Sequence, residues 1–191
     1  MASVQGFECV CPVDAAPVYQ FAESLKDQNK TFEDARGDLH KAHTAITSSM
    51  TSRATDNLID ELDRQIARID ETVTHRQTRI DATMTFHNEI VTCKTRFSNI
   101  IFQALCNGLT VDDNTIIDPA LSGTSQSGAA SLSPSYVVAR EDAYHAYSDF
   151  SAAEETYRQA WERTKPNNWS ASPGRGKDAL KFKGWAAQGS R

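Results

Sequence analysis

Apolar and polar residues follow one another along most of this chain with the spacing of a helical heptad. Residues 55–106 contain no proline or glycine, and their apolar positions fall on one narrow stripe of a helix. At about 1.5 Å per residue this helix would be about 75 Å long. A narrow stripe on so long a helix needs partner helices to bury it. One heptad position holds Ile59, Ile66, Val73, Ile80 and Ile101, and the other holds Leu62, Ile69, Ile90, Phe97 and Ala104.

The segment from Asp14 to about residue 50 is predicted to be the first partner helix. Asp14 is placed to cap it, and its apolar residues also keep a heptad spacing. The polar residues 47–56 predict a tight turn, and two long helices joined by a short turn lie antiparallel. Residues 14–108 are therefore predicted to form one long helical hairpin. The apolar heptad position of the first helix holds Val18, Leu25, Phe32, Leu39 and Ile46.

The heptad pattern of the long helix is interrupted in its middle by polar residues. This pattern indicates either a drift of the register or a change of partner along the helix. The first helix is shorter than the long one, so the segment past about Ile80 must pack against something else. The polar residues at heptad positions are Arg76, Thr83, His87 and Lys94.

A linker and a third helix are predicted after the hairpin. Asn107 and Gly108 are expected to end the long helix in a left-handed cap, and residues 109–133 are expected to be a linker. Ser133 and Pro134 predict the start of a third helix over residues 134–165.

The predicted third helix carries an unbroken column of alanines with aromatic residues interleaved. Small side chains allow another backbone to approach closely, so this column is predicted to be the packing face of the helix. Its members are Ala139, Ala146, Ala153 and Ala160.

These segments predict an all-α fold, an elongated three-helix antiparallel bundle or coiled coil with one very long central helix. Residues 1–13 are predicted to be an extended N-terminal arm outside the bundle, and residues 166–191 a basic C-terminal tail. The hydrophobic content of 39% is low for a compact globule and normal for a coiled coil. No apolar run reaches the roughly 18 residues of a membrane span, and residues 1–7 do not resemble a signal peptide. The expected location is the cytoplasm or a particle assembled there, such as a virion.

The four cysteines leave three alternatives open. Cys9 and Cys11 resemble half of a metal site, but Cys93 and Cys106 lie more than three helical turns apart and cannot complete it. Cys9 and Cys11 are also candidates for a disulfide between chains or between the arm and the helical body. Free thiols are favoured over both alternatives.

No residue pattern points to catalysis, a metal or a cofactor. His40 and His43 share a helical face without a carboxylate set beside them, so a solvated face is expected. His87 is expected to be a partly exposed histidine at the edge of the core rather than a pH switch. The sequence contains no Gly-rich phosphate loop, nucleophile elbow or zinc-finger spacing. The chain is therefore predicted not to be an enzyme.

The C-terminal tail combines positive charge with large aromatic residues. It fits an arm anchored in a neighbouring subunit, a segment that binds nucleic acid, a segment that lies on an anionic membrane, or a disordered tail. The assembly arm is favoured narrowly over nucleic-acid binding, because aromatic residues are uncommon in purely disordered segments. The predicted interface residues are Trp169, Phe182 and Trp185, set among Arg175, Lys181 and Lys183.

The function expected from these patterns is structural. The chain is predicted to be an elongated helical subunit of a repetitive complex, with arms that bind neighbouring subunits. A virion or phage particle component of the neck, collar or decoration type is the closest analogy in architecture. The expected partners are further copies of the chain or other structural proteins. The alternative is an adaptor that docks its helical body on a protein and its tail on nucleic acid or membrane.

Overall fold

The computed structural model describes residues 6–49, 53–123 and 125–165. Most of these residues are helical, and three helices are present, as predicted. A small three-stranded antiparallel sheet is also present, so the expectation of an all-α fold was incomplete. In chain order the elements are β1 (Gly6–Glu8), α1 (Ala15–Ser49), α2 (Arg53–Cys106), β2 (Val111–Asp112), β3 (Thr115–Ile117) and α3 (Gln126–Arg163).

Helices α1 and α2 pack against each other and run antiparallel. Arg36 forms an ion pair with Asp70, and His43 lies 3.2 Å from Asp63, so residues later in α1 pair with residues earlier in α2. This order is the one predicted from the two heptad patterns.

The partner of α2 changes along its length, at the place where polar residues interrupt the heptads. Near the start of α1, Asp14 accepts a hydrogen bond of 2.9 Å from Lys94. Near the end of α3, Thr164 accepts one of 2.9 Å from Arg79. Residues 79–94 of α2 therefore lie in a short section with three helices, flanked on each side by a section with two. Thr83 is fully buried there, and its hydroxyl is satisfied by a hydrogen bond of 2.7 Å that it donates to the Arg79 carbonyl.

Aromatic side chains fill the section with three helices. The rings of Phe86 and Tyr157 stack at 4.9 Å between centroids, with 9° between their planes. Phe21 of α1 stacks on Trp161 of α3 at 5.6 Å, which ties the two outer helices together. Such pairs add to the burial of apolar area.

The described part of the predicted N-terminal arm, residues 6–13, does not lie outside the bundle, and for these residues that prediction was wrong. Strand β1 pairs with β3, and the side chains of Phe7, Cys9 and Cys11 are all buried in the core. Along residues 6–11, exposed residues alternate with buried ones, which is the pattern of a half-buried strand. At Gly6 an added Cβ would lie 2.4 Å from the Ile116 carbonyl oxygen, so this pairing requires glycine.

The predicted linker, residues 109–133, contains regular structure. Strands β2 and β3 form a hairpin whose two-residue turn, Asp113 and Asn114, has positive φ angles of 42° and 65°. Asparagine and aspartate tolerate this conformation better than other residues with side chains, and it suits the twist of a hairpin. Gly108, with φ of 80°, ends α2 in the predicted left-handed cap.

Helix α3 begins earlier than predicted, at Gln126 rather than at Pro134. The Ser125 side chain accepts a hydrogen bond of 3.3 Å from the Gly128 amide and caps the helix. Pro134 therefore lies inside α3, where a missing amide normally costs stability. The added turns bring the half-buried side chain of Leu132 against the core.

Candidate functional site

The predicted interface residues of the tail lie outside the described residues. This applies to Trp169, Arg175, Lys181, Phe182, Lys183 and Trp185. The described part of the chain contains the other predicted groups, namely the alanine column and the cysteines.

The alanine column packs against α2 of the same chain. Ala139 and Ala146 are buried, at 7% and 2% exposure, while Ala153 and Ala160 are half-buried. The column therefore contributes to helix packing within one subunit, and its buried part is the half that faces the end of α2.

A groove of about 450 Å³ lies between α2 and α3 at this end of the molecule, beyond the reach of α1. Its floor contains the small buried side chains of Ala104, Ala139 and Ala146. Its rim is polar and includes Asn99 of α2 and Asp142 of α3. A small-residue floor with hydrogen-bonding groups at the rim suits a helix that approaches closely.

Apolar side chains near this end of the molecule are unusually exposed. Val138, on the groove rim, is 57% exposed. Phe102 and Leu105, near the end of α2 but not in the lining of the groove, are 65% and 54% exposed. Exposed apolar side chains that cluster at one end of a molecule are typical of an interaction surface.

The opposite end of the molecule, which we call the hairpin tip, comprises residues 30–49 and 53–73. No residue of α1 between 30 and 49 is buried. Ile66 is the one buried apolar side chain described on the α2 side of the tip. Two helices alone therefore leave this apolar stripe half-covered. The half-buried residues of the stripe are Phe32, Leu39, Ile46, Ile59, Leu62, Ile69 and Val73.

Three of the four cysteines lie together in the core where the N-terminal segment crosses α2. Cys9, Cys11 and Cys93 are buried and Cys106 is exposed, and all four are free thiols. Cys9 and Cys11 line an open groove of about 380 Å³ together with Lys94. Sequence spacing missed this cluster, because Cys93 is distant from the other two along the chain.

The ionisation of the three buried thiols differs sharply. A hydrogen bond from the Cys93 thiol lowers the pKa of Cys11 to about 7, helped by the Val13 amide and the charge of Lys94. The same hydrogen bond and burial raise the pKa of Cys93. Burial raises the pKa of Cys9 to about 11, with a smaller effect from Glu8. Cys11 is thus the nucleophilic thiol of the cluster.

The histidines occupy ordinary positions on the helices. His40 is exposed, and His43 lies beside Asp63. His87 is half-buried, with its ring 5.4 Å from that of Tyr19. Within the described ranges, no three His, Cys, Asp or Glu side chains come together as a potential metal site.

Comparisons with known proteins leave the chain without a family. No family model, curated protein or solved structure matches it. Among the helices that the structure describes, none is both long and apolar enough to cross a membrane.

Proposed function

We propose that this protein is a structural subunit, an elongated helical molecule that assembles with further copies of itself into a repetitive complex. The observation that carries the proposal is the incomplete burial at both ends of the molecule. The hairpin tip has a half-covered apolar stripe, and the groove between α2 and α3 has the exposed apolar side chain of Val138 on its rim. In the middle, where three helices meet, the core is closed.

The two ends differ in what covers their helices. The hairpin tip is a pair of antiparallel helices, whereas at the other end the small sheet packs against α2 and α3 and leaves the groove between these helices uncovered. The tip offers a narrow apolar stripe of coiled-coil type, and the groove offers a floor of alanines that admits a close helix. Insertion of the tip of one copy into the groove of the next makes a contact between different surfaces. Contacts of this kind generate rings or filaments.

A particle component of the neck, collar or decoration type is the assembly that this architecture resembles most. The resemblance is one of shape, namely a stiff helical body with adhesive ends. The basic tail, residues 166–191, would add a second contact by lying on the acidic helical body of a neighbour. The formal net charge of the chain is −5 although its tail is basic, so its remaining residues are strongly acidic.

Sedimentation velocity on paired variants tests the contact between tip and groove. Leu58, 46% exposed at the tip, and Val138, on the groove rim, are each replaced by lysine. Each variant alone should remain monomeric, because every contact between a tip and a groove would then include a blocked surface. A mixture of the two should form dimers, since an intact groove meets an intact tip. Val91→Lys is the control, because Val91 is 45% exposed on another face of α2.

Deletion of residues 167–191 tests the tail. The helix content and melting temperature should stay nearly unchanged while assembly is lost. A wild-type chain that remains monomeric at high concentration contradicts the proposal. A monomer that binds DNA through its tail, with a salt dependence that the deletion weakens, would instead establish the adaptor function.

A further inference from the structure

Cys11 and Cys93 come from distant parts of the chain and meet in the same buried cluster of side chains. Cys11 belongs to the segment that connects β1 to α1, and Cys93 belongs to the middle of α2. Cys11 shares an open groove with Lys94, the residue that follows Cys93, and the Cys11 and Cys93 side chains interact by a hydrogen bond. We propose that Cys11 and Cys93 are a redox site, at which a peroxide converts the two thiols into a reversible disulfide that fastens the N-terminal segment to the long helix.

The backbone around the pair allows the bond to form. A disulfide requires the sulfur atoms to approach to about 2.05 Å. Cys93 is fixed within a helix, but Cys11 lies in an irregular segment that is followed by a bend at Pro12 and Val13. Cys11 can therefore move toward Cys93 without disturbing a helix or a strand.

Of the two thiols of the pair, only Cys11 lies on a surface that the oxidant can reach. Cys11 lies at 9% exposure on the open groove of about 380 Å³, whereas Cys93 is 3% exposed and does not line that groove. Lys94 borders the groove and favours the thiolate form of Cys11. A molecule as small as hydrogen peroxide reaches the reactive sulfur from this side.

The reaction balances with the peroxide as the sole oxidant. The Cys11 thiolate attacks one oxygen of hydrogen peroxide, the O–O bond breaks, hydroxide leaves, and Cys11 becomes a sulfenic acid. The Cys93 thiol then attacks the Cys11 sulfur, the S–O bond breaks, and the departing hydroxide takes the Cys93 proton to form water. The two thiols lose two electrons and the peroxide gains them. Conversion of Cys11 to an uncharged form also removes the thiolate that suppresses ionisation of Cys93.

Cys9 is the competing partner, and its environment argues against it. Burial keeps its thiol protonated near neutral pH, since its pKa is raised to about 11. Its amide donates a hydrogen bond of 2.9 Å to the Asn114 carbonyl, which holds the residue in place next to the sheet. Cys9 therefore serves as an internal control for the assignment.

Peptide mapping of the full chain after exposure to hydrogen peroxide tests the proposal. Cys106→Ser is used as the background, because Cys106 is exposed and would link separate molecules. We expect a Cys11–Cys93 bridge that dithiothreitol reverses. Alkylation of the remaining thiols after oxidation should modify Cys9, because Cys9 stays free. Cys9→Ser should keep the bridge, and Cys11→Ser and Cys93→Ser should each lose it. A bridge that excludes Cys93, or oxidation of Cys11 to the sulfinic acid without a bridge, would overturn the proposal.

Hydrogen exchange provides a second measurement that does not depend on variants. In the oxidised wild-type chain the amides of β1 should exchange more slowly than in the reduced chain, and reduction should restore the original rate. Equal exchange in both forms would show that no bond holds the segment to α2. Both measurements are made within one molecule, so they stand or fall independently of the proposed assembly.

Discussion

The guanidinium group of Arg79 lies over the ring of Trp161, 4.6 Å from its centre. Two nitrogen atoms of the same guanidinium group donate hydrogen bonds to Thr164, which follows the last turn of α3. Nε donates to the Thr164 hydroxyl at 2.9 Å, and a terminal nitrogen donates to the Thr164 carbonyl at 2.6 Å. A positive charge at the C-terminal end of a helix also interacts favourably with the helix dipole. One residue of α2 thus binds the C-terminal end of α3 through three contacts.

Replacement of Arg79 by alanine should lower the free energy of unfolding by about 1–3 kcal/mol. The change removes the contact with Trp161 and leaves the Thr164 groups, which are buried, without this donor. Thermal or chemical unfolding measures the effect. Arg64→Ala is the control, because Arg64 makes an exposed ion pair with Glu61 in its own helix and should cost much less. Equal losses in both variants would contradict the role of Arg79.

Asn29 is a buried polar residue on the α1 side of the hairpin, at 3% exposure. Its amide nitrogen donates to Glu33 at 3.2 Å, but its side-chain oxygen has no hydrogen-bond partner among the described residues. Asn29→Leu should therefore raise the melting temperature, with a gain on the order of 1 kcal/mol. Asn57→Leu, at an exposed position of α2, should leave stability nearly unchanged. A loss of stability in Asn29→Leu would show that the unpaired oxygen has a partner in solution.

Ala146 tests the closeness of the contact between α2 and α3. Ala146→Leu forces a larger side chain into a site with 2% exposure, and overpacking of this kind costs about 1–3 kcal/mol. The comparison is Ala152→Leu, which adds the same side chain at an exposed position of the same helix. If denaturant midpoints fall equally in both variants, the column does not limit the helix spacing.

The buried thiols should make stability depend on pH in a defined direction. The pKa of Cys11 is lowered from 9.0 to about 7 by Cys93, Val13 and Lys94, so its contribution is present above pH 9 and is lost as the pH falls through 7. The pKa of Cys9 is raised from 9.0 to about 11, so its contribution is present below pH 9 and is lost as the pH rises through 11. The melting temperature of the wild type relative to Cys11→Ser should therefore increase between pH 6.5 and 8.5.

Cys106→Ser is the control for this pH series. Cys106 is exposed and lies outside the buried cluster. Its effect on the melting temperature should stay constant over the same range. A constant difference for Cys11→Ser as well would mean that Cys11 ionises alike in the folded and unfolded chains.

The sequence was most informative where the structure is repetitive. The heptads predicted α1 and α2 closely, since many apolar residues along a long helix indicate the same buried face. The polar residues in the middle of α2, such as Thr83, correctly indicated that something changes there. They left open whether the register or the partner changes, because that depends on where α3 returns.

Shorter elements carried signals that are easily missed. Phe7, Cys9 and Cys11 follow a period of two, and Asp113 with Asn114 fits a two-residue hairpin turn, yet each pattern spans only a few residues. The first turns of α3 are rich in glycine, serine and alanine, a composition shared with linkers, so Pro134 was wrongly taken as the first helical position. These elements are stabilised by tertiary contacts rather than by their own propensity.

The cysteine cluster could not be derived from spacing at all. Cys93 meets Cys11 because α1 folds back along α2, which places the start of α1 beside Lys94. The sequence around each cysteine does not indicate that the two side chains are close in space. Contacts between residues far apart in sequence follow from the topology, which became clear only once the partner of each part of α2 was known.

The pairing of β1 with β3 has a consequence for the order of folding. Phe7 lies opposite Ile116 in the sheet, so the two strands are separated in sequence by both long helices. During synthesis α1 and α2 can form their hairpin before β3, the partner strand of β1, has been synthesised. Contacts between residues so distant in sequence form slowly. The segment that places Cys11 beside α2 can therefore be fixed by the sheet only after both long helices and β3 have been synthesised.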